Sequence, residues 1–487
     1  MNYLLAAACG ALLPLSLAPF DLWPLGLVAV GGWFALLLRS ESSGLLLGWA
    51  FGVGKYAVGV SWVYVSINVY GNAPPLLAAF LVVLFAGGLA LFPMLNGWLF
   101  QRLRSAASPL QNAWLFTCLF VGFEWLLTWV LTGFPWLFPA YAHLDTVLAG
   151  FAPVGGVLLV SFVLIGSTCF AVAGYRSERK AAALAAALSP WLVGLLLTQI
   201  NWVTPGVSRS VALVQGNIDQ AVKWLPQSRS AIIETYVGLS EPHWGVDVMV
   251  WPEAAITLMA HEAGNVLRVL DERGEQARTA LVLGLPALER LPDNGEVVFR
   301  NTAIGMGAAE GRYVKRRLVP FGEYMPLEGL LRGLIEFFDL PMSHAAAGAW
   351  RQPLLQLLFD ETAVDRAALA ICYEIVYPGL VREQAREADV LITISNDSWF
   401  GASIGPLQHL QMARMRALEN GRWLLRGTNN GVTAIVDHRG AVTAQLPQFT
   451  ADVLTGSYQP MQGRTPYSRY GDWPLLTVLA VGVLFSA

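Results

Sequence analysis

The sequence predicts a chain in two parts: an α-helical membrane bundle of about eight transmembrane helices, and an α/β sandwich domain outside the bilayer. Three observations predict it. Of 487 residues, 55% are hydrophobic and only 13% are charged, where soluble domains carry about 25% charged residues. The apolar residues are concentrated in 1–202 and again in 471–487, whereas 203–470 has the composition of an ordinary globular domain. Within 203–470, short apolar runs are bounded by turn residues and separated by helix-like stretches. The net charge of −3 gives no reason to expect a nucleic-acid partner.

A spanning helix needs ~20 mostly apolar residues. Seven candidates are 3–19, 22–38, 44–66, 75–100, 110–132, 148–174 and 181–200. An eighth begins near Trp473 and runs to Ala487; it is short for a span, so a longer natural end is expected. The opening run lacks the basic region of a signal peptide and reads as the first helix; the lipoprotein-like "LAAACG" is disfavoured for the same reason. The loops after the second, fourth and sixth candidates carry Arg39, then Arg102 and Arg104, then Arg176, Arg179 and Lys180, and the intervening loops carry no Lys or Arg. The positive-inside rule places the basic loops in the cytoplasm, so 203–470 faces the periplasm of a bacterial inner membrane. Lys55 lies inside the third candidate, where a charge is costly; it is expected to snorkel or to line a polar groove, unless it marks a function. Gly52, Gly54 and Gly59 beside it allow close approach of a helix or a lipid chain.

In the outer domain, 210–218, 246–251, 279–285, 301–307, 367–374 and 389–397 read as buried strands, with helices over 227–240 and 406–421. Strands buried on both faces need helices or a second sheet over them, hence the sandwich.

Four segments place polar residues where strands should end. Glu253 follows the 246–251 run in "WPEAA"; alone, such a carboxylate is usually a helix cap. Lys315 opens the basic triplet of "YVKRRLVPFGEYMPL", ordinarily a solvated face, but Pro320, Gly322 and Pro326 fix the backbone around Glu323. Cys372 ends an apolar run in "ICYEIVYPG", and "SNDSWFG" closes the run at 395–401. Of the four cysteines, Cys9, Cys118 and Cys169 belong to the apolar half, so Cys372 is inert packing or chemically used. A thiol nucleophile needs a base and a cation or donor for the oxyanion. Glu253 and Lys315 supply both, and no histidine occupies a comparable strand end: His243, His261, His344, His409 and His438 lie in loops or helices. Burial near Trp251 and Pro252 is expected to raise the pKa of Glu253. No metal or nucleotide motif is visible, so no cofactor is expected.

Glu253, Lys315 and Cys372 in this order, with the flanks "VQGNIDQAVKW", "NTAIGM" and "ENGRWLLRGTNNGVTAIVDHRG", resemble the nitrilase (carbon–nitrogen hydrolase) superfamily. With its membrane half, the whole chain resembles the apolipoprotein N-acyltransferase family. The resemblance implies a nitrilase-like α-β-β-α sandwich and transfer of an acyl chain from a phospholipid, typically phosphatidylethanolamine. The chain passes through a Cys372 thioester to the α-amine of a diacylglyceryl apolipoprotein. It implies Cys372 as nucleophile, Glu253 as general base and Lys315 as oxyanion residue, with Trp224, Glu323, Tyr373 and Glu374 around the substrates. Segment 323–350, with Leu330, Leu331, Leu334, Ile335, Phe337 and Phe338 in amphipathic spacing, reads equally as a lipid-contacting lid or as core. A membrane-tethered amidase shares the triad, and a non-enzymatic sensor or transporter remains the third reading.

Overall fold

The computed structural model describes residues 1–487 except 40, 106–107, 176, 292–294, 325–344, 361–362 and 486–487. The apolar half forms helices Asn2–Leu12, Pro24–Arg39, Gly44–Gly59, Pro75–Leu89, Leu91–Leu103, Pro109–Leu126, Ala152–Gly174 and Lys180–Leu197, and Trp473–Leu484 joins them from the far end of the chain. Among the described residues, three helical stretches, Pro75–Leu103, Val147–Gly174 and Lys180–Leu197, are long and apolar enough to cross a membrane. A fourth is added if Gly44–Gly59 and Val63–Tyr70, bent by 62°, are one span. Asn2–Ser16, Pro24–Arg39 and Trp473–Leu484 are apolar but shorter.

Several apolar spans are thus present, as expected, and where individual helices depart from the sequence candidates the causes are local. The candidate at 110–132 stops as a helix at Leu126, before residues Leu131, Thr132 and Gly133 with positive φ. The candidate at 148–174 breaks at Gly155 and Gly156, the latter at φ 70°, where a side chain would be strained. The glycines of the third helix serve helix packing. A Cβ on Gly54 would lie 2.0 Å from the Ala7 carbonyl oxygen, and one on Gly52 would lie 2.7 Å from Ala90 Cα. Lys55, 4% exposed, does not snorkel; its ammonium sits 5.1 Å from the Tyr56 ring centre, inside the bundle.

The outer domain stacks two sheets between helices. A six-stranded sheet has the order Asp452–Tyr458, Arg209–Gln215, Val248–Val250, Ala280–Arg290, Val297–Gly307, Arg312–Val314. A seven-stranded sheet runs Val442–Gln445, Ala434–Val436, Leu424–Thr428, Val390–Ser395, Val364–Ile371, Leu355–Leu358, Ala309–Glu310. Alternation along the strands sorts the layers. Val248, Val250, Leu369, Ile371, Ile392 and Ile394 meet between the sheets. Met249, Leu281 and Leu283 point instead to Ile232, Tyr236 and Leu270 of helices Arg229–Ser240 and Gly264–Ala277. The other sheet's outer face packs small residues, Ala368 and Ala370, under helices Pro378–Ala385 and Gly405–Asn420. The predicted sandwich is present, with more strands than the sequence reading found.

Helix Gly405–Asn420 packs between the two halves, and one hydrophobic cluster runs from Trp33 and Phe116 of the bundle to Met412 and Met415. Its polar contacts are specific. The Trp136 indole donates to Gln408 at 2.7 Å. The backbone N–H of Val157, freed by the glycine break, donates to the Glu419 carboxylate at 2.7 Å, and Arg416 neutralises that carboxylate at 2.6 Å.

Candidate active site

The site forms where strands of both sheets end. Val364–Ile371 and Val390–Ser395 are parallel neighbours, with Ile371 opposite Ile394, so Cys372 and Asn396 leave the same edge. From the other sheet come Glu253, just beyond Val248–Val250, Lys315, just beyond Arg312–Val314, and Asn301. Ligand sites at the carboxyl ends of parallel strands are the rule in α/β sheets.

Cys372 adopts φ 55°, a conformation strained for a residue with a side chain, at the start of the short turn Cys372–Val376. Glu374 holds that turn. It is fully buried, accepts the backbone N–H groups of Ile371 at 2.8 Å, Arg316 at 2.7 Å and Arg317 at 3.0 Å, and takes the Tyr313 hydroxyl at 3.0 Å. One carboxylate thus fixes the turn of Cys372 and the segment that carries Lys315. Glu374, expected beside the substrate, has both carboxylate oxygens bonded to backbone N–H groups and to the Tyr313 hydroxyl.

Glu253 is 7% exposed and accepts from the Asn301 amide at 2.7 Å, the Lys315 ammonium at 3.4 Å and the Asn396 backbone N–H at 2.8 Å. Burial pushes its pKa up, as expected, but Lys315, Asn301, Asn396 and Lys223 together outweigh burial and hold it below the ordinary value. The expected raised base is therefore corrected to an ionised carboxylate. Lys315 is more tightly joined to Glu323, at 2.8 Å. Burial alone would lower the Lys315 pKa, but Glu323, Glu253 and the thiol carry it well above. Glu323 completes a tetrad by accepting from Asn301 at 3.1 Å and from the Val319 backbone at 2.8 Å. Cys372 responds to the same charges. Burial first, then Glu253 and Asp397, push its thiol up, against Lys315 and a hydrogen bond with Ser395. Both directions favour a thiol beside a carboxylate.

Family models match both halves: the apolipoprotein N-acyltransferase N-terminal domain over residues 9–170, and carbon–nitrogen hydrolase over 210–466. The chain is 47% identical over 489 aligned residues to an apolipoprotein N-acyltransferase of Azotobacter vinelandii, covering 98% of this chain and 94% of the relative. It is 41% identical to that of Vibrio cholerae, covering 100% and 97%. The chain belongs to the apolipoprotein N-acyltransferase family. It is an acyltransferase with several membrane-spanning helices and a carbon–nitrogen hydrolase domain.

In this acyltransferase, Tyr373 and Tyr377 join the Cys372 turn to the bundle. The Tyr377 hydroxyl donates to the carbonyls of Thr132 and Gly133, each at 3.1 Å, and that of Tyr373 to Gly133 at 3.4 Å. Tyr373 also stacks on Trp136 at 6.3 Å. Trp224 is half-buried at the end of the short helix Gln220–Lys223, and its indole N–H has no acceptor among the described residues. Two residues were not predicted for the site. Lys223 is fully buried, donates to the Glu253 backbone carbonyl at 3.1 Å and acts electrostatically on the Cys372 thiol. His409, set aside as a helix residue, places Nε2 3.2 Å from the Cys372 carbonyl; that oxygen only accepts, so Nε2 carries a proton. The "KW" pair beside Trp224 was the available signal for Lys223. His409, placed by its helix, left none. Of the lid segment 323–350, residues 325–344 lie outside the described residues.

Proposed function

We propose that the enzyme acylates the N-terminal cysteine of diacylglyceryl apolipoproteins in two half-reactions, through a thioester on Cys372, with a membrane phospholipid, phosphatidylethanolamine above all, as donor. In the first, the thiol proton passes to Glu253 as sulfur attacks the ester carbonyl carbon. The oxyanion is met by Lys315, the ester C–O bond breaks, and the proton held by Glu253 leaves on the lysophospholipid hydroxyl. In the second, the acceptor amine attacks the thioester, the C–N bond forms, the C–S bond breaks, and the amine proton passes through Glu253 to the departing thiolate. Glu323 holds the Lys315 ammonium, Glu374 positions the turn, and Trp224 and Tyr373 border the substrates.

The observation that carries this reading is the docking of the nucleophile's turn on the bundle through Tyr373, Tyr377 and the carbonyls of Thr132 and Gly133. An acyl chain costs ~0.8 kcal/mol per methylene exposed to water, so an acyl-enzyme needs its thiol beside lipid. Aromatic rings support a route. Phe85 of helix Pro75–Leu89, whose neighbours Val83 and Leu84 are 70% and 60% exposed, meets Phe134 at 5.2 Å; Phe134 stacks on Trp136 at 5.7 Å, and Trp136 on Tyr373. The basic loops support a periplasmic site in the inner membrane.

Incubating the full-length enzyme with isotope-labelled phospholipid alone, then mapping Cys372 by mass spectrometry, tests the mechanism. A long-chain acyl adduct released by neutral hydroxylamine is expected. Full turnover without any adduct would sink the covalent route.

A further inference from the structure

We propose that Arg317 is the phosphate-binding residue of the acyl-donor site, and that it serves the first half-reaction alone. The proposal rests on the reading of a phospholipid donor.

The three basic residues 315–317 are not alike. The Lys315 ammonium is paired with Glu253 and Glu323, and its remaining N–H is the one assigned to the oxyanion. Arg316 is spent on Glu383 at 2.9 Å, the Tyr313 hydroxyl at 3.1 Å and the carbonyls of Trp350 and Leu380. Arg317 has no carboxylate within ion-pairing distance among the described residues, and its Nε is buried without an acceptor. Two rings hold the guanidinium instead: Trp350 at 5.9 Å and Tyr377 at 5.3 Å from its central carbon. Ring faces attract a cation without consuming its N–H groups. A guanidinium gripped in this way keeps its donor edge free for a planar pair of anionic oxygens, the arrangement that phosphodiesters take bidentately.

Its place selects the ligand. The Tyr377 hydroxyl rests on Thr132 and Gly133, so Arg317 lies at the seam between bundle and sandwich. Its backbone N–H is bound by Glu374, two residues after Cys372, and Arg317 also acts electrostatically on the Tyr373 hydroxyl. A lipid whose ester carbonyl reaches the thiol carries its phosphate one glycerol arm away. The acceptor, a diacylglyceryl thioether on a peptide, carries no phosphate. A residue that reads phosphate therefore discriminates donor from acceptor at a site both must enter.

The test uses full-length enzyme in detergent and the variants Arg317→Gln and Arg317→Lys, checked for an unchanged melting temperature. Three single-turnover rates are read: thioester formation from phosphatidylethanolamine, thioester formation from a p-nitrophenyl ester of the same fatty acid, and transfer from preformed acyl-enzyme to a diacylglyceryl peptide. In Arg317→Gln the first rate is expected to fall about 10- to 100-fold, the loss of one charge-assisted pair. The other two are expected to stay within about twofold, and Arg317→Lys to recover part of the first because it keeps the charge. An equal loss on the phosphate-free ester, an equal loss in the transfer step, or an unchanged first rate would overturn the proposal while leaving the phospholipid donor standing. A wild-type enzyme acylated by the phenyl ester but not by phospholipid would overturn the donor reading itself, and this proposal with it.

Discussion

Two lysines serve one thiol unequally. Lys315 is locked between two carboxylates, whereas Lys223 donates to a single carbonyl, Glu253 O, and burial pulls its pKa down to about 8 despite Glu253 and Cys372. The ammonium of Lys223 is present below that value and lost above it. If it steadies the negative charge shared by Glu253 and sulfur, acyl-enzyme formation falls as pH rises through about 8. Lys223→Arg, which stays charged, moves that limb upward; a limb unmoved in Lys223→Arg refutes the role. Glu253 works in the opposite direction. Its pKa is held below the ordinary 4.5, so its ionised form and the stability it contributes persist down the acid range and are lost only as pH falls through the folded-state value. Rate profiles of wild type should therefore show no loss from this group at pH 5 and above. Glu374 makes a separate prediction. Glu374→Gln is expected to cost about 3 kcal/mol of stability, because three backbone donors lose an anionic acceptor. Both half-reactions should slow with KM little changed, measured by melting and by the two single-turnover rates; a pure KM effect restores the substrate-contact reading. The strand-end places of Glu253 and Cys372 were legible in the sequence because Pro252 and the strand-like runs before them mark where the strands stop. Lys223 and His409 were not, because a short helix and the middle of a long one bring them to the site from elsewhere in the fold.

At the scale of elements, apolar segments were legible and their geometry was not. A run such as 110–132 has membrane composition throughout, yet "TGFPWLFPA" contains the glycine and prolines that turn it aside after Leu126. That turned loop is what receives Tyr373 and Tyr377, so the chain leaving this helix also contacts the turn that carries Cys372. The glycines of helix Gly44–Gly59 show the same limit. Composition indicates close approach, and only the fold says to what. A Cβ on Gly54 meets the Ala7 carbonyl at 2.0 Å and one on Gly48 meets the Pro93 carbonyl at 2.1 Å, while Gly87 and Gly88 face nothing within 4 Å. Backbone cannot yield as a side-chain tip does. Gly54→Ala and Gly48→Ala are therefore expected to separate the helices and lower the melting temperature in detergent. Gly88→Ala is expected to be neutral or to stabilise by about 0.5–1 kcal/mol. Equal effects at Gly54 and Gly88 would show that the packing described for this helix does not govern its stability.

Over the whole molecule, the two halves share one core, and this separates the chain from a soluble hydrolase carried on an anchor. Helix Gly405–Asn420 is buried along most of its length, including Leu410, Met412 and Met415. Glu419 reaches across to Val157, Gln408 to Trp136, and Ser66 of the bent helix pair donates to the Trp399 carbonyl at 2.7 Å. Removing the bundle would uncover these side chains together with Tyr373, Val376 and Leu380, and would leave Glu419 with only its arginine. These side chains would form a contiguous apolar patch of the kind that soluble monomers rarely expose. Residues 203–470 expressed alone are accordingly expected to aggregate or to require detergent, and to form no acyl-enzyme, since the turn carrying Cys372 loses the carbonyls of Thr132 and Gly133 that its tyrosines hold. Size-exclusion chromatography and the phospholipid adduct assay check both. A soluble, monomeric fragment that still takes an acyl chain from phospholipid would mean that the sandwich builds its site unaided and that the bundle only tethers it. The shared core and the aromatic run from Phe85 to Tyr373 argue for the bundle as part of the site.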